Sequence, residues 1–249
     1  MKLENVIAKR SKKTIYRDGD SVIKVFNENY SKADILNEAL NLARVEETGL
    51  ATPGVKEVSM VDGKWAIVTT YQEGKTIAEM IEENPEKIDE YLDIFVSVQL
   101  QIHDQKAPLL TKLKDKMVRK ISLSDLDATT KYELHQRLEG MPKHTKLCHG
   151  DFSPANVVIK EDSTAFILDW AHATQGNASA DVARSYLLFC LKGHKDYAEK
   201  YLDIFCKKSD TAKQYVLKWL PIVAASQLVK GKEEEKAFLL SWTDVVEYE

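Results

Sequence analysis

The segment "LCHGDFSPANVVIKEDSTAFILDWAHA", Leu147 to Ala173, sets His149, Asp151, Asn156 and Asp169 among apolar residues. Taking a carboxylate out of water is costly unless hydrogen bonds or a cation compensate it. Asp151 and Asp169 are therefore either satisfied structural groups or holders of something charged. Carboxylates of the second kind move protons or bind cations, and an asparagine amide oxygen can serve beside them as a neutral donor.

Such residues need elements to aim them. "NVVI" and "AFIL" are short apolar runs separated by the turn-like "KEDS", a small hairpin inside an otherwise helical region. Upstream, "KKTIYRDGDSVIKVF" predicts a hairpin turning at Asp18-Gly19-Asp20, with a strand over Ser21–Phe26. A helix follows in "SKADILNEALNLARVEETG". Ser31 is its candidate N-cap, Ile35, Ala39, Leu42 and Val45 recur on one side, and Gly49 lies just past its end. A second hairpin turns at Asp62-Gly63. From Thr76 the pattern is helical. Thr76 caps "IAEMIEEN", "EYLDIFVSVQLQIHDQ" is a core helix carrying His103 as a satisfied buried histidine, and a charged helix runs from Asp125 to Leu138. Asp181 is the expected cap of the next helix, and the chain beyond it reads as helical.

The expected architecture is α+β and two-lobed. Residues 1–75 form an antiparallel sheet with one helix, and residues 76–249 form a helical lobe carrying the small hairpin. A cleft between such lobes is a common place for a ligand. Two upstream charges fall on apolar faces. Lys24 shares a strand face with Val22 and Phe26, so it must reach solvent or meet an anion. Glu38 lies on the same side of its helix as Ile35 and Leu42, which suggests an inward-facing ion pair.

Composition removes several function classes. With 249 residues, 44% hydrophobic and 30% charged, the chain is an ordinary globular protein with room for a core. A net charge of -4 argues against nucleic-acid binding. Cys148, Cys190 and Cys206 are odd in number and far apart, so reduced thiols are expected rather than a disulfide framework or zinc knuckle. "MKLENVIAKRSKK" lacks the apolar core of a signal peptide, and no run approaches the ~18 residues of a membrane span. A cytoplasmic protein with no membrane partner is expected.

The spacing H-G-D-x-x-x-x-N, His149 to Asn156, is one letter from the protein-kinase catalytic loop, and Asp169 follows across the hairpin. "HGDFSPANVVIKEDSTAFILDW" closely resembles the aminoglycoside phosphotransferase/choline kinase family, relatives of protein kinases that phosphorylate small molecules. "ASADVARSYLLF" is similar to that family's "DLA" helix start, and "SVQLQIHDQ" to its L-x-x-L-H core helix. The resemblance implies a protein-kinase-like fold and ATP- and Mg2+-dependent transfer of a γ-phosphate to a hydroxyl of a small molecule, such as an aminoglycoside, choline or a sugar. It implies that Asp151 accepts or orients the hydroxyl proton, with His149 bracing the catalytic loop and Asp181 bracing it as well. Asn156 and Asp169 become the magnesium ligands, hard oxygens suited to that ion beside the ATP phosphates. Lys24 grips the α- and β-phosphates, and Glu38 holds Lys24. "AIVTTYQEGKTIAEM" resembles the family's adenine-binding connection, which puts Thr69 behind the base and makes the Thr70 carbonyl and Gln72 amide its hydrogen-bonding pair.

The phosphate-covering loop departs from the protein-kinase pattern. Protein kinases place glycines there so that backbone can approach phosphate, yet none lies between Val6 and Tyr16. Ser11 fits the serine that small-molecule kinases of this family often retain. Lys9, Arg10, Lys12 and Lys13 either meet phosphate with side-chain charge or form a solvated basic turn. The missing glycines keep open a catalytically inactive kinase fold that binds nucleotide or a partner. A metal-dependent hydrolase built on Asp151, Asp169 and His149 would need further ligands, and only His172 offers itself. For the acceptor, Glu233, Glu234, Glu235, Asp244, Glu247 and Glu249 would suit a cation, although an E-E-E run is usually a solvated helix face. Trp219, Trp242 and Tyr248 could box a quaternary ammonium, with core packing as the ordinary explanation.

Overall fold

A computed structural model describes residues 2–243 of the chain; Asp244, Glu247, Tyr248 and Glu249 lie outside them. The first elements are β1 (Asn5–Lys9), β2 (Lys13–Asp18), β3 (Ser21–Phe26), α1 (Lys32–Glu46), β4 (Val55–Val61) and β5 (Lys64–Thr70). A short strand β6 (Lys75–Thr76) leads into α2 (Ile77–Glu83), α3 (Ile88–His103), α4 (Leu113–Leu123) and α5 (Ala128–Gly140). Four short strands follow: β7 (Lys146–Cys148), β8 (Val157–Ile159), β9 (Ala165–Ile167) and β10 (Thr174–Gly176). Last come α6 (Ala178–Leu191), α7 (Lys195–Ser209), α8 (Lys213–Leu217), α9 (Leu220–Leu228) and α10 (Glu233–Thr243). The chain divides into two compact units: residues up to Met80 with Pro154–His172, and Ile81–Ser153 with the chain from Ala173 onward.

The first unit is built on an antiparallel sheet of order β1-β2-β3-β5-β4. Its two Asp-Gly signals are both hairpin turns. Gly19, Asp62 and Gly63 hold φ of 56°, 48° and 77°, the left-handed values that tight hairpin turns demand. Ser31 caps α1 by accepting from the Asp34 N–H at 3.4 Å, and Ile35, Ala39, Leu42 and Val45 are buried as the periodicity predicts. One sheet face buries Ile23, Val25, Ala66 and Val68; Phe26 and Ile67 pack against Ile35 and Ala39 of α1. Strand alternation puts Lys24 on the α1 side with Phe26. A second sheet, β6-β8-β9, joins the later hairpin to this unit, pairing Thr76 with Val158 and Val157 with Ile167. Thr76 and Glu79 form a capping box: the Thr76 N–H and hydroxyl donate to Glu79 Oε2 (2.7 and 2.8 Å), and the Glu79 N–H donates back to Thr76 Oγ1 (3.1 Å).

The second unit is helical. α3 is its central helix, burying Leu92, Phe95, Val96, Gln99 and Ile102, with Phe95 stacked on Phe152 at 4.2 Å. α3 and α6 both pack on α7, and α9 receives α4 and α6. Two expectations need correction. α5 starts at Ala128, capped by Asp127 accepting from the Thr130 N–H (2.9 Å), rather than at Asp125, and α4 before it was not anticipated. Asp181 is not a cap. Asn177 caps α6 by accepting from the Ser179 N–H (3.0 Å), and Asp181 lies buried in the first turn. The three cysteines are free thiols. Among the described residues no helix is long and apolar enough to cross a membrane.

Candidate active site

In the first unit the strand lysine and the helix glutamate meet. Lys24 Nζ donates to Glu38 Oε1 at 2.8 Å and to Asp169 Oδ1 at 3.2 Å. Burial alone would push the ammonium towards its neutral form. The Asp169 and Glu38 carboxylates outweigh it and hold the Lys24 pKa above the ordinary lysine value. Of the basic residues in the glycine-free loop, Lys13 turns inward, with Nζ 3.4 Å from Glu38 Oε1 and 3.6 Å from Asp169 Oδ1. Lys9, Arg10, Ser11 and Lys12 are exposed. The turn they form is tight: the Arg10 N–H donates to the Lys13 carbonyl, and Asn27 Nδ2 donates to the Ser11 carbonyl (3.0 Å).

The β8–β9 hairpin sets Asp169 and Asn156 at one end. The Leu168 N–H donates to the Asn156 carbonyl at 2.8 Å, so the backbone on either side of the hairpin is tied there. Asp169 sits at φ 60°, a left-handed conformation that Asp tolerates better than bulkier residues. Trp170 behind it is buried, its Nε1–H donating to Thr52 Oγ1 (2.9 Å) and the Ile167 carbonyl (3.1 Å). A carboxylate and an amide on one short loop are the hard oxygen donors that magnesium accepts. Among the described residues no group of three or more His, Cys, Asp or Glu could hold a metal by itself, which is what the hydrolase alternative requires. On β5, Thr69 is buried. Thr70 donates its N–H to the Gly54 carbonyl, and its hydroxyl oxygen accepts from the Gly54 N–H and from Gln72 Nε2, each at 2.9 Å.

In the second unit, Asp181 organises the loop that carries His149 and Asp151. Its carboxylate accepts from the Gly150 N–H (2.6 Å), the His149 N–H (3.2 Å) and His103 Nε2 (3.0 Å). Burial would raise its pKa, but the hydrogen bond and charge of His103, with the Gly150 N–H, hold the carboxyl below the usual range. Gly150 takes φ 79°, which only glycine adopts without strain. His149 is fully buried, its ring Nδ1 accepting from the Asp151 N–H at 3.2 Å. That contact ties the His149 ring to the backbone of the loop. His103 is satisfied at one ring nitrogen only, its Nδ1 being buried without a hydrogen-bond partner.

A sequence profile of the phosphotransferase enzyme family (APH) matches residues 6–215. The chain belongs to that family. Among solved structures it is similar to an aminoglycoside-3'-phosphotransferase of type VIII, at 17% identity and TM-score 0.64 over 92% of each chain. A thermostable mutant of aminoglycoside phosphotransferase APH(4)-Ia in its apo form matches at 14% identity and TM-score 0.70, covering 96% of this chain and 92% of that one. Choline kinase LicA from Streptococcus pneumoniae matches at 14% identity and TM-score 0.61, covering 96% and 87%. The fold is thus protein-kinase-like, as expected. Among curated proteins there is no significant match.

The surroundings of Asp151 in this phosphotransferase differ from those that a cationic acceptor would favour. Arg184 Nη2 donates to Asp151 Oδ1 at 3.1 Å, and Lys230 Nζ stands 3.9 Å from the same oxygen. Lys116 and Lys120 of α4 also feel the Asp151 charge. None of these cations was singled out in the sequence. The readable signal was the i, i+4 lysine pair in "LKDKMVRKISL", which only becomes one once α4 is recognised. Of the acids in the E-E-E run, Glu235 takes hydrogen bonds from Lys232 and Gln227, each 2.6 Å, and Glu233 and Glu234 are exposed, the solvated face that such a run usually forms. Of the aromatics, Trp219 and Trp242 pack against other side chains, and Tyr248 lies outside the described residues. Trp242 lies edge-on to Tyr186 and Phe238. Trp219 is buried beside a cavity of about 390 Å3 lined also by Lys112, Lys114 and Lys143.

Proposed function

We propose that this phosphotransferase moves the γ-phosphate of ATP, with Mg2+, to a hydroxyl of a small molecule. The observation that carries the reading is the charged cluster in which Lys24 bridges Glu38 and Asp169. A protonated lysine pinned by one carboxylate on a neighbouring helix is suited to grip the α- and β-phosphates. Lys13 and Ser11 border the same phosphates from the β1–β2 turn. Asp169 and the Asn156 amide would hold magnesium, which when bound neutralises phosphate charge. The Thr70 carbonyl and Gln72 amide would read the adenine edge, with Thr69 behind it. Asp151 accepts the hydroxyl proton of the acceptor, and His149 fixes the backbone from which it projects.

Substrate-dependent ADP release from ATP and magnesium, measured with pooled hydroxylated metabolites and antibiotics against Asp151→Ala, tests this. Turnover that vanishes in the variant supports it. Tight ATP binding with no turnover on any pool replaces it with a nucleotide-binding module.

A further inference from the structure

Two cations stand directly against Asp151, Arg184 at 3.1 Å and Lys230 at 3.9 Å, and Lys116 and Lys120 of α4 act on the same place. Lys116 and Lys120 stand one turn apart on α4, where like charges repel. α4 packs on α9, and Lys230 follows the end of that helix, while Arg184 comes from α6. Among the described residues, the charged groups that act on this place include the cations Lys116, Arg119, Lys120, Arg184, Lys230 and Lys232, and the acids Asp151 and Glu235. Glu235 already accepts from Lys232 and Gln227. Arg184 is buried, and Lys116 and Lys120 are half-buried. Burial first, then the neighbouring cations, push Lys116 down to about 7 and Lys120 down to about 8, against the pull of Asp151. Lys230 is lowered for the same reasons. Converging, partly desolvated cations oppose folding, and such an arrangement is characteristic of a site that receives an anion.

We propose that the acceptor carries a compact anionic group, a phosphate or a carboxylate, bound by Lys116, Lys120, Arg184 and Lys230 while its hydroxyl meets Asp151. The inference rests on the phosphotransferase reading for the role of Asp151. In the step itself, the acceptor oxygen bonds to the γ-phosphorus, the bond from that phosphorus to the β–γ bridging oxygen breaks, and the hydroxyl proton passes to Asp151. The products are ADP and the phosphorylated acceptor. An aminoglycoside or choline, being cationic, meets repulsion from the same four side chains. The acceptor is therefore of a different charge class from the compounds that name the structural neighbours.

ADP release by the full chain, with ATP and magnesium, should be compared across three panels. The anionic panel holds D-glycerate, ribose 5-phosphate and glucose 6-phosphate, so that a carboxylate and a phosphate are told apart. The neutral panel holds glycerol, ribose and glucose, and the cationic panel choline and kanamycin. Turnover confined to the anionic panel is expected. Lys120→Ala should then raise KM for the active compound about tenfold, the worth of one charge-assisted hydrogen bond, with much less change in kcat. Turnover on the neutral or cationic panel alone overturns the proposal, as does a KM indifferent to Lys120→Ala and Lys230→Ala together. Should no panel turn over, the phosphotransferase reading falls and a second measurement decides the anion site. At about pH 7.5 lysines of lowered pKa are partly neutral, so an amine-acetylating reagent should modify Lys116 and Lys120 early. Inorganic phosphate should slow that labelling and chloride of equal ionic strength should not; equal labelling with both salts overturns the proposal.

Discussion

Lys24 is held by geometry at both ends. The strand period aims it at α1, and Glu38 and Asp169 take its ammonium. Removing one partner of a buried ion pair typically costs about 3–5 kcal/mol, because the other charge is left uncompensated. Lys24→Met should therefore lower the denaturation midpoint and weaken magnesium-dependent ATP binding. Lys13 stands close to the same two carboxylates, so the loss should fall at the lower end of that range. Lys13→Met combined with Lys24→Met should cost more than the sum of the singles, as neighbours sharing partners do. Asp151 is a different case. Asp151→Asn should leave ATP binding unchanged and lower kcat by roughly 10²–10⁴-fold, the range of a lost general base. Calorimetric ATP titration beside ADP-release kinetics separates the two effects. At this scale the identities were readable: His149, Asp151, Asn156, Asp169, Lys24 and Glu38 are a spaced pattern along the chain. Arg184 and Lys230 were not, because a charge on a helix acquires meaning only from what faces it.

The loop from His149 to Ser153 is positioned by packing and by one buried carboxylate. Phe152 is fully buried, stacks on Phe95, and its carbonyl accepts from Ser185 Oγ at 2.9 Å. Phe152→Ala should cost about 3–5 kcal/mol of stability, measured by denaturant unfolding. Asp181 works through protonation. Its folded pKa lies below the unfolded value, so its contribution is present above the ordinary carboxylate pKa of about 3.9 and is lost as pH falls through the folded value. Asp181→Asn should lower stability at neutral pH and make the melting temperature less sensitive to acid below about pH 4. An acid limb unchanged by the substitution would show that another group carries it. Among the elements, both Asp-Gly hairpins and the Ser31 cap were legible because turn and cap chemistry is local. α4 was hidden for a physical reason: its buried residues are only Leu113, Met117 and Ile121, one per turn, separated by cations.

At the scale of the whole molecule, the lowered lysines leave a signature in stability against pH. In the unfolded chain Lys116 and Lys120 titrate near 10.5, and in the folded chain near 7 and 8. The unfolded state thus binds more protons between those values, and stability rises with pH in that window. Cys148 and Cys190 act the other way above about pH 9, because their folded pKa values are raised. Melting temperature should therefore climb between about pH 7 and 9, and Lys116→Met should flatten the climb. The chain also folds out of sequence order, Pro154–His172 joining the unit formed by the N-terminal residues. The pairing of β6 with β8 that ties them involves residues far apart along the chain, and no local pattern announces it.

The sequence by itself determined the family, the two Asp-Gly hairpins, the apolar face of α1 and the spacing of the candidate catalytic and metal-binding residues. These depend on neighbours within a few positions, where periodicity, turn chemistry and motif spacing act directly. Only the tertiary structure decided that Asp169 joins Glu38 on Lys24, that Asn177 and not Asp181 caps α6, and that Asp151 stands among cations. The first and last of these are meetings of side chains from separate elements, and electrostatic energy depends on the distance between charges in space rather than along the chain.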